Sequence, residues 1–566
     1  MPHVHRGIAA FRGDPPQHAG ERGVPLSACA DSTSPEVQLL SNGSYHVSVT
    51  GAGGGASRWN NIALTRWRDD ATCDDRGSFC YLRDVDRGRL WSAAYQPTRA
   101  RADSYHSRFT QGRAEFIRRD GDIETHTTVA VASAFDVELR RVRMVNHGAS
   151  VCTIDVTSYM EIVLGDANAD IAHPAFANLF VETQWLAETD AILCTRRPQQ
   201  EGAPAPWMFH LLSCTDGSAR GISFDTDRRQ FIGRCRSTQD AAALSQRTLA
   251  GSVGAVLDPI AALRTCVTLA SRGASTLDYF TGVAATREAC IALAQRCRIA
   301  NCAAALLAEP AAAPGASTAQ DPSAECYRRL ASSMLYANPS LRADAATLVQ
   351  NTRGQSGLWG FRISGDLPIA LLWMSTAGKV DLVREMVLAH AYWCAHGLAS
   401  DLVIVTATPR DAVMRTVAEA GGAALVDQHG GIFVLVDADL DEGARILLQT
   451  VARVVVRDDK GTLAQQLDGC PSAARARTPA SSSGERASSA AASDAPASPA
   501  TRTAAGEVRP DPDREALAFG NGIGGFSADG QEYVIHVSAA CPTPQPWVNV
   551  IANPGFGTLV SDSGSA

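Results

Sequence analysis

The chain has 566 residues, which is too long for one hydrophobic core, so we expect two to four domains. Apolar residues make up 45% and charged residues 19% of the sequence, as in an ordinary globular protein. A formal net charge of -8 is small for this length and gives no indication of a nucleic-acid partner. The longest apolar run, 367–374, is too short to span a bilayer, and the N-terminus has no apolar core of signal-peptide length. The chain is therefore expected to be cytoplasmic, without a membrane segment.

Residues 36–282, which follow an N-terminal tail over 1–35, are predicted to form a large antiparallel β-sandwich. Short runs of β-branched and aromatic residues recur about every ten residues, with Asp, Gly and Asn turns between them. The sequence RRDGDIETH carries a DG turn between two alternating runs and predicts a hairpin.

The sequence YHVSVTGAGGGA, residues 45–56, is compatible with a nucleotide-binding loop or with a tight turn. Glycine allows the backbone to approach a phosphate, and it also accepts positive φ angles in turns. The residues that follow, RWNNIALTRWRDD, contain neither an N-cap nor a sustained helical stripe. We therefore favour the turn.

The pattern changes after the sandwich. Residues 283–355 have apolar positions at helical spacing and predict a helical segment. Residues 356–468 alternate between strand and helix patterns, which predicts a small α/β unit. Residues 469–511 are mostly Ala, Ser, Pro, Thr, Arg and Gly and predict a disordered linker. Residues 512–566 predict the start of a second, truncated β-sandwich.

A short internal repeat connects the two ends of the chain. Asn42 to Gly53 aligns without gaps with Asn553 to Gly564, and Asn, an aromatic residue, Val, a hydroxyl residue and Gly recur at fixed spacing. The second copy has no glycine cluster at the position of GAGGGA. The shared feature is thus a strand that runs into a turn.

The fifteen cysteines include no CxxC pair. Cys290, Cys297 and Cys302 form one of the closest groups, without histidines at zinc-binding spacing. We interpret the cysteines as buried free thiols in a reducing compartment and predict no metal site.

Two sets of motifs carry a family resemblance. GGFSADGQEYVIH and TPQPWVNVIANPGFGTLVSDSGSA resemble the start of the N-terminal sandwich of glycoside phosphorylases such as cellobiose phosphorylase. GSFCYLRDVDRGRLWSAAYQP, HPAFANLFVET and RGQSGLWGFRISGDLPIALL resemble the preceding sandwich, helical and α/β segments of cyclic β-1,2-glucan synthases. The resemblance covers nearly the whole chain except the first 35 residues and the linker.

This resemblance implies a region of tandem phosphorylase-type sandwiches. In the family, the general-acid Asp lies in an (α/α)-six barrel after the sandwich, and inorganic phosphate is the co-substrate. This chain ends at Ala566, within the second sandwich. We therefore expect a fragment without catalytic residues of its own, without a cofactor, and inactive alone. Its expected partners are β-glucan or oligosaccharide and the remaining synthase domains of an inner-membrane-associated parent.

The candidate carbohydrate-binding residues are Trp59, Arg66, Trp67 and Arg68. Aromatic rings stack on the apolar faces of sugars, and Arg donates paired hydrogen bonds to hydroxyl groups. On a regular strand, Arg66 and Arg68 face one side and Trp67 the other, so a common groove requires a bulge. The alternative is that the tryptophans anchor the sandwich core.

Two acidic clusters, Asp84 with Asp86 and Asp120 with Asp122 and Glu124, are interpreted as exposed hairpin acids rather than as catalytic carboxylates. Two functions stay open. In one, the chain is an accessory part of a cyclic β-1,2-glucan synthase whose sandwich contacts β-glucan. In the other, the sandwich is a scaffold that packs against missing catalytic domains and binds no sugar.

Overall fold

The computed structural model describes residues 26–28, 35–198, 205–214, 219–309, 322–375, 380–469, 517–538 and 541–565. The strands are β1 (Leu26–Ala28), β2 (Val37–Ser41), β3 (Tyr45–Thr50), β4 (Gly55–Trp59), β5 (Ile62–Thr65), β6 (Phe79–Asp84), β7 (Leu90–Ser92), β8 (Ser104–Thr110), β9 (Arg113–Asp120), β10 (Ile123–Val131), β11 (Val137–Asn146), β12 (Cys152–Gly165), β13 (Val181–Leu186), β14 (Ala191–Arg196), β15 (Trp207–Cys214), β16 (Ala219–Asp227), β17 (Pro259–Leu269), β18 (Ala274–Ala284), β19 (Ile369–Met374), β20 (Asp401–Thr406), β21 (Ile432–Val436), β22 (Ala452–Arg457), β23 (Gly524–Phe526), β24 (Tyr533–Ile535), β25 (Val548–Asn553) and β26 (Phe556–Ser561).

The α-helices are α1 (Ala167–Ala172), α2 (Pro174–Asn178), α3 (Arg228–Ile232), α4 (Arg287–Cys297), α5 (Cys302–Ala308), α6 (Pro322–Leu335), α7 (Ala345–Val349), α8 (Val380–Ala395), α9 (Arg410–Glu419), α10 (Glu442–Val451) and α11 (Leu463–Asp468). Short 3-10 helices lie at Ala242–Ser245, Pro339–Leu341, Gln355–Phe361, Ala423–Leu425, Asp437–Asp439 and Asp458–Lys460.

Two large antiparallel sheets form the sandwich. The first has the strand order β1-β8-β9-β10-β11-β18-β15-β14-β13. In the second, the order β16-β17-β12-β5-β4-β3-β2 is extended by β6, which pairs with β12, and by β7, which pairs with β6. The predicted hairpin at RRDGDIETH is β9–β10, with Asp120 opposite Ile123. The predicted fold class, a multidomain α+β chain built on a large antiparallel sandwich, is confirmed.

The main hydrophobic core lies between the two sheets. In β9 the buried Ala114 and Phe116 alternate with the more exposed Glu115 and Ile117, because successive side chains of a strand point to opposite faces. Strand β12 is buried over nearly all of its 14 residues, since it pairs with β17 on one side and with β5 and β6 on the other. This central position explains why polar side chains of β12, such as Ser158 and Glu161, are buried as well as its apolar ones.

Helices α4 and α5 cover the outer face of the first sheet. Cys290 and Ala294 of α4 and Leu306 of α5 pack against a cluster that includes Phe209 and Phe280. Helix α4 begins where the Thr286 hydroxyl accepts a hydrogen bond from the backbone of the third helical residue. The continuous helical pattern of the sequence thus folds as two helices with an 88° bend between them.

The predicted α/β unit is a four-stranded parallel sheet with the order β21-β20-β19-β22. Its core includes Leu372 and Leu402 of the sheet and Leu330 of α6. Val37 and Leu39 of β2 belong to the same cluster. The outer face of the sandwich strand β2 therefore shares a core with the α/β unit.

By its internal contacts the chain divides into two compact units, Met1–Phe231 with Thr238–Arg477, and Ile232–Ser237 with Thr478–Ala566. In the second unit, β23 pairs with β24 and β25 pairs with β26. The boundaries predicted after residues 282 and 355 fall inside the first unit and stay predictions. The predicted linker lies outside the described residues, apart from Gly469.

The internal repeat is a repeat of hairpin structure. In β2–β3, Val37 lies opposite Thr50, and in β25–β26, Val548 lies opposite Ser561. Each residue of the second pair is numbered 511 higher than its counterpart. The turns also match, because the Oδ1 atoms of Asn42 and Asn553 each accept hydrogen bonds from the backbone N–H groups two and three residues later. The two hairpins share one register and one turn chemistry.

The glycine cluster after β3 is a turn between two strands, as expected. Thr50 N–H donates to the carbonyl oxygen of Gly54, and the chain continues directly into β4. A Cβ atom on Gly54 would lie 2.1 Å from the carbonyl oxygen of Asp74. Glycine is required here because another backbone segment approaches it closely.

Candidate functional site

The two tryptophans of the predicted carbohydrate patch lie in different environments. Trp59 ends β4, packs against the sandwich core and donates its ring N–H to Asp136 Oδ2 at 2.8 Å. Trp67 packs against the core shared with the α/β unit and lies edge-on to Tyr336, with ring centroids 6.3 Å apart. Both side chains are half-buried, which agrees with the alternative that they anchor hydrophobic cores.

Arg66 is buried and forms the start of an ionic network. Its guanidinium group donates to Glu161 Oε2 at 2.9 Å, to both oxygens of Asp170 at 3.0 Å, and to Asn178 Oδ1 at 2.6 Å. Arg68, two residues later, is exposed to solvent. The structure does not bring the four predicted residues into one groove, and sugar binding by them stays a prediction.

Glu161, on β12, is the centre of this network. Besides Arg66, Arg228 donates to Glu161 Oε1 at 2.8 Å and Arg76 at 3.2 Å, and the Tyr159 hydroxyl donates at 3.0 Å. Burial alone raises the pKa of Glu161, but the three guanidinium groups outweigh burial and hold that pKa below its ordinary value. Glu161 is therefore ionised and fully engaged, which suits a structural anion and not a proton donor.

The network holds the segment of α1 and α2 against the sandwich. Asp170 belongs to α1 and Asn178 to α2, and Asn178 also donates to Asp258 Oδ1 at 3.1 Å. Arg196 of β14 donates to the carbonyl oxygen of Ala177 at 3.0 Å. Two short helices with few buried residues are thus fixed by charge and hydrogen bonding.

His210 and Ser158 resemble a nucleophile and base by distance alone, with Ser158 Oγ 2.8 Å from His210 Nε2. The other ring nitrogen lies 3.0 Å from Thr281 Oγ1, and all three residues are buried between the sheets. Burial lowers the pKa of His210 to about 3. The ring is neutral, satisfied at both nitrogens and closed to substrate, so it serves the core. Sequence reasoning missed it, because nothing in WMFHLLSC marks the His.

The prediction that the acidic clusters are exposed hairpin acids is wrong for Asp84 and Asp120. Asp120 is buried and pairs with the buried Arg118, whose Nε lies 2.6 Å from Asp120 Oδ2. Asp84 is buried because its Oδ1 accepts the backbone N–H groups of Asp86 and Arg87 in the following turn. An acid that closes a turn can point inward when backbone or Arg donors satisfy it.

Within the described ranges, no group of three or more His, Cys, Asp or Glu side chains is arranged to hold a metal ion. The thirteen cysteines of these ranges are free thiols, and Cys235, Cys394 and Cys541 are exposed, contrary to the interpretation of the cysteines as buried. No single described helix is long and apolar enough to cross a membrane. The bent pair α4–α5 meets the criteria of length and apolar composition only when its two helices are taken together.

Comparison with known proteins gives a family match and two related enzymes. The family model for the glycosyl hydrolase 94 supersandwich domain matches residues 24–300 and 531–566. The cyclic beta-(1,2)-glucan synthase NdvB of Rhizobium meliloti (strain 1021) is 33% identical over 549 residues, which cover 94% of this chain and 19% of that protein. The N,N'-diacetylchitobiose phosphorylase of Vibrio proteolyticus is 26% identical over 224 residues, 38% of this chain and 27% of that protein.

This chain therefore spans less than a third of the length of either relative. Among solved structures, a putative kojibiose phosphorylase from the human microbiome aligns over 55% of this chain and 40% of its own, with 7% identity and a TM-score of 0.29. A score this low supports no inference. The match of residues 531–566 to the same family model agrees with the hairpin repeat, since both place sandwich sequence at the two ends of the chain.

Proposed function

Because this chain belongs to the glycosyl hydrolase 94 supersandwich family, we propose that it is an accessory, structural part of a cyclic β-1,2-glucan synthase-type protein. The identity to the Rhizobium meliloti synthase over 94% of the chain supports the assignment to this type. In this proposal the sandwich positions other parts of the protein, and the chemistry of glucan synthesis takes place elsewhere.

The observation that carries the proposal is the position of residues 58–69. Arg58 donates to the carbonyl oxygen of Gly397, after α8, at 3.1 Å. Trp67 contacts Tyr336, after α6, and Asp69 accepts a hydrogen bond from Arg453 of β22 at 2.6 Å. One short sandwich segment thus bonds to three separate parts of the helical and α/β regions. Such a segment is suited to joining two cores rigidly.

A second function, contact of the sandwich with β-glucan, is favoured by one observation. Trp67 is only half-buried, and the next residue, Arg68, is exposed. An accessible indole beside a free guanidinium group is a common arrangement at sugar-binding surfaces, since the ring stacks and the cation donates hydrogen bonds. Of the four residues predicted from the sequence, Arg68 is exposed, the two tryptophans are half-buried and Arg66 is buried.

Calorimetric titration of the full chain with β-1,2-linked glucans separates the two functions. The structural proposal predicts no binding heat, and it predicts that Trp67→Ala lowers the free energy of unfolding by about 2 kcal/mol while Arg68→Ala leaves it unchanged. Binding heat that is lost in Arg68→Ala would instead support glucan contact. Trp359→Ala is the matched control for the loss of an indole ring. Trp359 is 63% exposed and belongs to the 3-10 helix Gln355–Phe361, outside residues 58–69. If Trp67→Ala is as stable as the native chain, the structural proposal fails.

A further inference from the structure

A cleft of about 380 Å³ lies where the end of β10 meets the corner between α4 and α5. Its walls include Phe135 and Leu306, and its polar groups include Arg296, Cys302 and Glu309. The Arg296 guanidinium group lies 4.1 Å from the centroid of the Phe135 ring. We call this cleft the thiol pocket, because a cysteine lies in its wall.

The Cys302 thiol in the wall of the pocket has a second thiol as its neighbour. Cys297 is the last residue of α4 and Cys302 the first residue of α5, and the 88° bend between the helices brings their side chains into hydrogen-bond contact. Cys297 is buried at 2% exposure, whereas Cys302 is partly exposed and lines the pocket. One thiol is therefore open to a reagent, and the other is held behind it.

The two thiols differ in acidity. The hydrogen bond from Cys297 and the nearby Arg296 charge lower the pKa of Cys302 to about 7. The same hydrogen bond, together with burial, raises the pKa of Cys297. By contrast, burial raises the pKa of Cys290, on the same helix, to about 12. Because the thiolate is the nucleophile, Cys302 is the member of the group that reacts at neutral pH.

We propose that Cys302 and Cys297 form a reversible dithiol–disulfide pair whose substrate is a small disulfide such as oxidised glutathione. The Cys302 thiolate attacks one sulfur of the disulfide, forms a mixed disulfide and expels one glutathione thiolate, which takes up a proton. The Cys297 thiol then loses its proton to solvent and attacks the Cys302 sulfur. This second step forms the Cys297–Cys302 bond and expels the second glutathione. The protein loses two electrons, and one disulfide molecule is reduced to two thiols.

The pocket suits a reagent of this kind. Glutathione carries carboxylates and an ammonium group, and the pocket presents the Arg296 guanidinium and the Glu309 carboxylate around the thiol. The apolar wall formed by Phe135 and Leu306 accommodates the carbon–sulfur chain. The arrangement differs from a buried structural cysteine, which has neither an entry path nor a charged neighbour.

The test uses the full chain, alkylated with limiting iodoacetamide across a pH series and mapped by peptide mass spectrometry. We expect labelling of Cys302 to reach half its maximum near pH 7, more than one pH unit below an ordinary thiol. The exposed Cys541 is the internal reference, because it tests whether exposure alone decides reactivity. With oxidised glutathione, trypsin should release two linked peptides, since cleavage at Arg296 and Arg298 separates Cys297 from Cys302.

Two variants complete the test. In Cys297→Ala, the glutathione adduct on Cys302 should persist, and the half-point of alkylation should move up toward that of an ordinary thiol. Cys290→Ala is the matched control, because it removes a buried thiol of the same helix, and it should change neither result. If the half-point for Cys302 coincides with that of the exposed Cys541, or if oxidised glutathione yields no Cys297–Cys302 link in the native chain, the proposal is overturned.

Discussion

Arg66 and Glu161 are separated by 95 residues in sequence and by 2.9 Å in the structure, between Arg66 Nη1 and Glu161 Oε2. Both side chains are at most 7% exposed. Taking two charges out of water is costly, and hydrogen bonds to every charged atom are needed to offset that cost. Here Asp170 pairs with Arg66, and Arg76 and Arg228 pair with Glu161. Loss of one member would therefore remove a charged partner from another member of the network.

Arg66→Ala should lower the free energy of unfolding by about 3–5 kcal/mol, because it leaves the buried Asp170 without its guanidinium partner. Arg66→Lys should be intermediate, since an ammonium group keeps the charge but loses the paired donors. The control is Arg384→Ala, which breaks an exposed pair with Glu419 and should cost less than about 1 kcal/mol. Urea unfolding followed by circular dichroism measures all three. Equal losses in Arg66→Ala and Arg384→Ala would show that the network is not stabilising.

The strands could be predicted from the sequence because alternation and turn residues are local signals. The β9–β10 hairpin follows from an Asp-Gly turn, and the repeated hairpins follow from one spacing of Asn, aromatic residue and Gly. The ionic network could not be predicted in this way. Its members come from β12, from α1, α2 and α3, and from the segments that follow β5, and only the tertiary fold brings these distant parts of the sequence together.

The contacts of the candidate carbohydrate-binding residues also could not be predicted from the sequence. Trp67 and Arg66 are adjacent in sequence, yet the first packs on an aromatic ring and the second enters a network of carboxylates. The residue types indicated sugar binding. They do not indicate which of these side chains already contact other residues of the folded chain. Asp120 was predicted to be exposed because it belongs to a turn. In the structure it is buried and paired with the buried Arg118.

The pH dependence of stability should report the burial of His210. Its pKa in the folded chain is about 3, below the ordinary value of 6.5, so the unfolded chain binds a proton that the folded chain does not. Above pH 6.5 the imidazole is neutral in both states, so its burial does not lower the free energy of unfolding. As the pH falls from 6.5 toward 3, protonation of the unfolded chain lowers the free energy of unfolding progressively. At pH 5 the loss amounts to about 2 kcal/mol.

His210→Gln should reduce this slope between pH 6.5 and pH 5, measured from urea unfolding at each pH. Thr281→Val is the matched control, since it removes the partner of His210 Nδ1 but keeps the imidazole. That variant should be less stable at every pH and should keep most of the slope. A native chain whose free energy of unfolding is constant over this range would contradict the assignment.

Gly54→Ala should lower the free energy of unfolding by about 2 kcal/mol or more, because the added Cβ would lie 2.1 Å from the carbonyl oxygen of Asp74. Relief requires a shift of backbone on one side of the turn. Gly354→Ala is the control, since its Cβ would meet nothing within 4 Å. It should be neutral or slightly stabilising in the same measurement. An unaffected Gly54→Ala would show that the turn is not tightly packed.

The repeated hairpins allow one substitution to be made twice in the same chain. The amide of Asn42 accepts two backbone N–H groups and donates to the carbonyl oxygen of Ala132 and to Asp136. The equivalent Asn553 accepts the same two backbone bonds, and the aromatic residue after its turn, Phe556, is 70% exposed.

Asn42→Ala should therefore lower the free energy of unfolding of the sandwich by about 2–3 kcal/mol, because it removes the two turn bonds together with the hydrogen bonds to Ala132 and Asp136. Asn553→Ala removes the identical turn bonds and should leave that value unchanged, while amide exchange accelerates within β25–β26. Hydrogen exchange resolved by peptide, combined with urea unfolding, measures both effects. If Asn553→Ala destabilises the sandwich as strongly as Asn42→Ala, the second hairpin must itself be part of the cooperative core, contrary to its exposure.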